Sequence, residues 1–396
     1  MNNYAHITIH PLCSSTQEKR YLLCSHGRYY ETCFPIVELL TELQHCDTRE
    51  EAVASFVGKK GGKYNEKQVE VIIEKFIAPL LVDEKGVKPT FLYEKELLST
   101  STVDMFSDMF RFLFHKVYMW TFFIVVLAMD IYFFWNTEDL LVFDNQINAY
   151  TIVGLFVFML FSSFFHELGH ASACKYFGVK HGGVGFGMYL NFPVLYTDVT
   201  EVWKLERGQR CIVNIAGIYF QSFALGILLI LFFVTEDDIL RYLILIINIG
   251  FLMTLNPFFK FDGYWIVSDI LRVPNLRIRS RELIVYLYRL LLHRPIGKRP
   301  YLLQLKPLEK YGLMIYSVVV NLFMGYYFFY IIPEFFHRFM LSFPEEVKEL
   351  VLYLSNRVSP PFALLRNIGM QVFFLVMLGY FFYNLILSVL KRYAKR

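Results

Sequence analysis

The sequence is poor in the features that mark a secreted, disulfide-stapled or nucleic-acid-binding chain. Its six cysteines (Cys13, Cys24, Cys33, Cys46, Cys174 and Cys211) form no CxxC pair and follow no disulfide-like rhythm. They read as reduced packing thiols in a cytosol-facing or membrane setting. The start, MNNYAHITIHPLCSSTQEKR, has no basic stretch leading into an apolar core, so no cleavable signal peptide is expected. Charged residues make up only 19% of the chain and the net charge is +4. No block of like charge is long enough to argue for a nucleic-acid partner. Internal repeats and low-complexity tracts are also missing.

Apolar surface, by contrast, is abundant. Hydrophobic residues reach 56% and aromatic residues 18%, with a mean hydropathy of +0.41; a soluble domain is nearer about 45–50% apolar. Six runs account for the excess, over 117–136, 148–172, 210–233, 240–260, 311–332 and 368–390. Each is roughly 20 residues, enough to cross about 30 Å of hydrocarbon. The expectation is therefore a polytopic α-helical membrane protein of about six spans, multi-pass in the cell membrane. The connections NTEDLLVFDNQIN and TEDD carry no Lys or Arg, whereas Arg272, Arg277, Arg279, Arg281, Arg289, Arg294, Lys298, Arg299, Lys306 and Lys310 follow the fourth run. Positive-inside reasoning puts both termini in the cytoplasm. The segment 333–367 reads as a long loop of mixed charge. The Arg-rich segment reads as a topology determinant and an anionic-lipid contact.

Two regions break the helical pattern. Residues 174–206 hold Gly178, Gly182, Gly183, Gly185 and Gly187 among aromatic and β-branched residues, which is strand and turn chemistry. A β-hairpin or re-entrant insert is expected there, on the cytoplasmic side and next to the end of the second run. Residues 1–110 precede the membrane part (111–396) and read as a small mixed domain. In it, YLLCSHGRYYET suggests two strands around a Ser-His-Gly turn, followed by helices in FPIVELLTELQ, DTREEAVASFV and NEKQVEVIIEKFIAPLL. GVKPTFLY suggests a returning strand.

The chemistry concentrates in HELGH, 166–170. Positions i and i+4 share one face of a helix, so His166 and His170 can each offer a nitrogen to one Zn²⁺, with Glu167 beside the metal as a base. Three ionisable groups within five residues, at the end of the run IVGLFVFMLFSSFF, are costly in hydrocarbon and are functional by default. The plain alternative is a histidine pair satisfied by neighbouring helices; the cost of burying Glu167 unpaired counts against it. A catalytic zinc takes a third protein ligand. Asp262 is the candidate, the only acid in LNPFFKFDGYW (255–265). It follows the fourth run, which ends on the same side as the second. Its alternative role is a helix-end acid paired with Lys260 or Arg272. Asn256–Pro257 and Gly263 are expected to break or bend the helix around it. Asn214 reads either as core packing or as a ligand contact, and His181 as loop surface or a further metal or substrate contact.

HELGH on one span with NPFFKFDG on a later one resembles the site-2 protease family of intramembrane zinc metalloproteases. The resemblance covers about 151–268, including NIAG at 214–217, with the catalytic core at about 148–270. It implies zinc ligation by His166, His170 and Asp262, a base at Glu167, and substrate positioning by Asn256, with Asn214 as a further contact. Phe261 stands where the family commonly has leucine, and Phe258 or Phe259 replaces an expected proline. No insert resembles a PDZ domain or a CBS pair. The order of elements in residues 1–110 is similar to the peptide-recognition domain of pathways for ribosomally made, modified peptides. That resemblance implies a winged-helix-like fold that takes a leader peptide as an added strand.

These readings together give an expected function. The chain is a membrane-embedded zinc metalloprotease that cuts a precursor or leader-bearing peptide near the cytoplasmic face, with a separate export transporter as a partner. The alternatives are regulated intramembrane proteolysis of a membrane-bound regulator, a non-catalytic, metal-stabilised peptide-binding export partner, and a metal transporter.

Overall fold

The computed structural model describes residues 4–12, 19–81, 93–137, 140, 149–189, 192–295 and 300–393. It opens with β1 (Thr8–Leu12), β2 (Arg20–Ser25) and β3 (Arg28–Cys33), an antiparallel sheet in that order. The β2–β3 connection is His26–Gly27, both at positive φ (50° and 74°). Such two-residue turns match the twist of the strands they join, and glycine takes this conformation at little cost. Helices α1 (Phe34–His45), α2 (Arg49–Lys59) and α3 (Glu66–Ile72) follow, and α3 runs through a π-helical turn, Ile73–Ile77, into α4 (Ala78–Leu81). The Thr48 hydroxyl caps α2 by accepting from Glu51 N, and Asn65 with Gln68 forms a capping box on α3. Each cap stabilises its helix by about 1 kcal/mol. Leu23, Leu39, Leu40, Leu43, Phe56, Ile73 and Ile77 form the core between sheet and helices. The expected strand in GVKPTFLY lies, apart from Tyr93, outside the described residues.

The chain continues through β4 (Glu94–Leu98), α5 (Thr100–Phe110), α6 (Lys116–Asn136) and α7 (Ala149–Tyr176). Next come β5 (Val184–Tyr189), β6 (Phe192–Thr197), α8 (Arg207–Thr235), α9 (Asp238–Thr254) and α10 (Asp262–Leu271). The last helices are α11 (Leu276–Leu291), α12 (Pro307–Tyr326), α13 (Ile332–Ser355) and α14 (Phe362–Tyr393).

Two compact units result. One comprises Met1–Lys88, Thr200–Cys211 and Trp265–Val319; the other comprises Pro89–Val199, Ile212–Tyr264 and Val320–Arg396. In the first, Arg20 Nη2 donates to Gln304 Oε1 at 3.0 Å and Arg279 Nη2 to Glu31 Oε2 at 3.2 Å. The Arg279 guanidinium also lies 4.0 Å over the Tyr301 ring. The N-terminal sheet is thus held to a segment some 250 residues away in sequence (|i−j| of 248 for the Arg279–Glu31 pair). No local pattern announces a contact of that range.

In the second unit β4, β5 and β6 form an antiparallel sheet in that order, Val184 opposite Thr197 and Tyr189 opposite Phe192. The expected hairpin is β5–β6. Its glycines make room: a Cβ at Gly183 would fall 2.2 Å from the Leu98 carbonyl oxygen, and one at Gly185 2.6 Å from Cζ of Tyr196. The third strand, Glu94–Leu98, has no counterpart in the sequence analysis, because EKELL is rich in charge and poor in β-branched residues.

Among the described residues five helical stretches are long and apolar enough to cross a membrane: Lys116–Asn136, Val153–Tyr176, Arg207–Thr235, Pro307–Ser355 and Ala363–Tyr380. This is consistent with a multi-pass membrane protein. The expected span over 240–260 corresponds to α9, which has 17 residues and stops at Thr254. Pro257 lacks an amide hydrogen and pushes the residue before it out of the helical region, so the chain turns there. The expected loop over 333–367 is helical as far as Ser355. Phe335, Phe339 and Phe343, four residues apart, stack on one another, and Phe335 packs 4.2 Å from Phe374 of α14. Stacking along that half-buried aromatic stripe outweighs the mixed charges that read as a loop.

Candidate metal centre

The site begins with close approach of α7 to α8. A Cβ at Gly169 would sit 2.4 Å from the Ala216 carbonyl oxygen, and one at Gly217 2.3 Å from Nε2 of His166. Small residues at these two positions let the helices touch, as in membrane helix packing generally. HELGH lies in the C-terminal half of α7, with its histidines one turn apart.

The partner segment is built by a break. Beyond Thr254 the Asn256 side chain accepts from Phe258 N at 2.8 Å, an Asx turn that reverses the chain. A Cβ at Gly263 would lie 2.0 Å from the Leu255 carbonyl oxygen, so only glycine fits where the chain folds back. Asp262 then opens α10, where a carboxylate also complements the positive end of the helix dipole.

Three side chains converge. His166 Nε2 is 3.1 Å from Asp262 Oδ2, His170 Nε2 is 3.2 Å from the same oxygen, and the two nitrogens are 3.1 Å apart. Among the described residues this is the group of His, Cys, Asp or Glu side chains placed to hold a metal ion. His170 Nδ1 donates to the Val213 carbonyl at 2.8 Å and His166 Nδ1 to Gln221 Oε1 at 3.0 Å. With both Nδ1 atoms protonated, both Nε2 lone pairs face the carboxylate oxygen. Three acceptors at such distances repel unless a cation or proton lies among them. Nitrogen and oxygen ligands about 2.0–2.1 Å from a tetrahedral zinc stand about 3.3 Å apart, so the triangle fits one face of such a site.

Several of the surrounding side chains are buried. Glu167 is 7% exposed and Asn214, next to Val213, 8%. The hairpin sheet touches both motif-bearing segments: the Thr197 hydroxyl donates to the Glu167 carbonyl at 3.4 Å, and Lys260 N donates to the Tyr189 hydroxyl at 3.1 Å. Asp262 Oδ2 therefore lies against imidazoles, where sequence reasoning left a partner among Lys260 and Arg272 open. Asn256 sits in the turn leading to Asp262. His181 belongs elsewhere: its Nε2 shares a hydrogen bond with the Ser107 hydroxyl at 3.1 Å and lies 3.5 Å from Asp104 Oδ1. Sequence reasoning missed Gln221 and the clearance role of Gly217. Their signal is a spacing of four from Val213 through Gly217 to Gln221, which keeps all three on one face of α8.

No family model and no solved structure matches the chain. It is 24% identical over 220 residues to a Bacillus subtilis protein named "Putative peptide zinc metalloprotease protein YydH", an alignment covering 54% of this chain and 84% of that protein.

Proposed function

We propose that the chain is a membrane-embedded zinc metalloprotease acting on a peptide near the cytoplasmic face. One observation carries the reading: two segments bring His166 Nε2, His170 Nε2 and Asp262 Oδ2 to one point, although His166 and Asp262 are 96 positions apart in the chain. The name of the Bacillus subtilis relative supports the same chemistry. His166, His170 and Asp262 are the proposed ligands of Zn²⁺, which when bound supplies Lewis acidity that acidifies water and polarises the scissile carbonyl.

The remaining steps belong to the chain itself. Glu167, one residue from a ligand and nearly buried, takes the proton of the attacking water and passes it to the leaving amine. Asn256 and Asn214 position the substrate. A helical substrate hides its carbonyls, so the peptide must be extended, and the strand edges of the β4–β6 sheet can hold it so. The three strands and following helices of residues 8–81 support a leader-binding role for the N-terminal part, which makes a precursor peptide the proposed substrate and an export transporter the proposed next partner. Lys and Arg concentrated in 272–310 support the cytoplasmic placement.

The test compares small peptides from cells carrying wild type or Glu167→Gln, matched for membrane level and bound zinc. A fragment present only with wild type is expected, and its sequence distinguishes precursor trimming from cleavage of a membrane-bound regulator. Identical peptide profiles would refute proteolysis and favour a non-catalytic binding partner.

A further inference from the structure

His166 is hydrogen-bonded to a side chain outside the triad. His166 Nδ1 donates to Gln221 Oε1 at 3.0 Å, while Gln221 Nε2 donates to the Ser162 hydroxyl at 2.9 Å. The amide is thus gripped at both ends, and its oxygen faces the imidazole. That bond keeps the proton on Nδ1 and leaves the lone pair on Nε2, the atom 3.1 Å from both Asp262 Oδ2 and His170 Nε2. His170 is held in the same tautomer by a backbone carbonyl at 2.8 Å, which no substitution of a side chain removes. His166 has no such guarantee. Its ring packs against Gly217, where a Cβ would fall 2.3 Å from Nε2, and the hydrogen bond from Nδ1 goes to the Gln221 side chain.

We propose that Gln221 is a positioning residue of the metal centre, fixing the tautomer and ring plane of His166 for a divalent cation. The inference rests on the metalloprotease reading above and extends it to a residue outside the ligand set. An amide suits the place because it accepts from the imidazole without adding a buried charge, which would need its own partner. Partners of this kind are worth about 10–100-fold in metal affinity when lost.

The experiment uses the full chain in detergent micelles, stripped of metal and titrated with Zn²⁺ against a chromophoric chelator and with Co²⁺ alone. Two variants are compared with wild type: Gln221→Met, which keeps the volume and removes the acceptor, and Gln221→Glu, which keeps the acceptor. Gln221→Met should bind about 10–100-fold more weakly, with shifted Co²⁺ absorption bands. Gln221→Glu should bind at least as tightly as wild type, with bands displaced by the more electron-rich imidazole. Wild-type affinity and an unchanged Co²⁺ spectrum in Gln221→Met would reduce Gln221 to packing and overturn the proposal. Should that variant fail to elute as a single folded species, Gln221→Glu decides: unchanged affinity and bands overturn the proposal equally. If wild type itself binds neither metal, the metalloprotease reading fails first and takes this inference with it.

Discussion

Two polar clusters border α7, and they solve the same problem differently. At the C-terminal end Lys175 Nζ lies 2.6 Å from Asp104 Oδ1, with His181 3.5 Å from the same oxygen. Two turns earlier His166 and His170 face Asp262 in nearly the same way, but among the described residues no lysine or arginine forms an ion pair with that carboxylate. The first cluster carries its own cation and serves as a clasp between α5 and α7. The second gathers acceptors with none, the arrangement that the proposed zinc centre requires. Histidines beside a carboxylate are therefore ambiguous in a sequence. What separates structural from metal-binding use is where the balancing positive charge comes from.

The sharpest way to break the comparison is Glu167→Gln. It should cost about 10²–10⁴ in peptide cleavage while leaving zinc content unchanged, measured on purified protein with a peptide substrate found by the profiling above. A comparable loss of zinc would make Glu167 part of the metal site instead.

Next in size is a pair of glycines on one helix. Gly217→Ala places a methyl 2.3 Å from His166 and should lower stability by about 1–3 kcal/mol and reduce metal retention. Gly208→Ala, with nothing within 4 Å of the added carbon, should be neutral or stabilising by up to about 1 kcal/mol. Thermal unfolding in micelles with zinc analysis reads both. Equal effects would remove close α7–α8 approach from the account.

The smallest effect is expected at the self-sufficient cluster. The hydrogen bond from Lys175 holds the Asp104 carboxyl below its ordinary range. A carboxyl with a depressed folded-state pKa stabilises above its unfolded pKa, and that stabilisation is lost as pH falls through the folded value. Asp104 is half exposed, so Lys175→Met should cost no more than about 1 kcal/mol at neutral pH. The difference from wild type should shrink in acid, and zinc content should not change. A loss of zinc in this variant would mean that the two clusters are not independent.

Much of the architecture was legible in the chain. HELGH declares its geometry because a helix makes i and i+4 neighbours, and Pro257 with Gly263 declares a break because both act on the backbone directly. The glycine-rich stretch after α7 declares a hairpin for the same reason. What stayed hidden depends on partners distant in sequence. β4 looks like a charged loop until β5 supplies its hydrogen bonds. Residues 333–355 look like a loop until Phe374 receives Phe335. Gln221 looks like a stray polar residue in an apolar helix until His166 is placed opposite, 55 residues away.

The most direct test of the central claim is the metal content of Asp262→Ala against wild type, both purified as the full chain and shown to be folded. The account predicts about one zinc per wild-type chain and a strong loss in Asp262→Ala, because two histidines alone leave the site short of a ligand. Equal, stoichiometric zinc in both would show that the ion is held without Asp262 and would contradict a centre built from the 166–170 and 262 segments together.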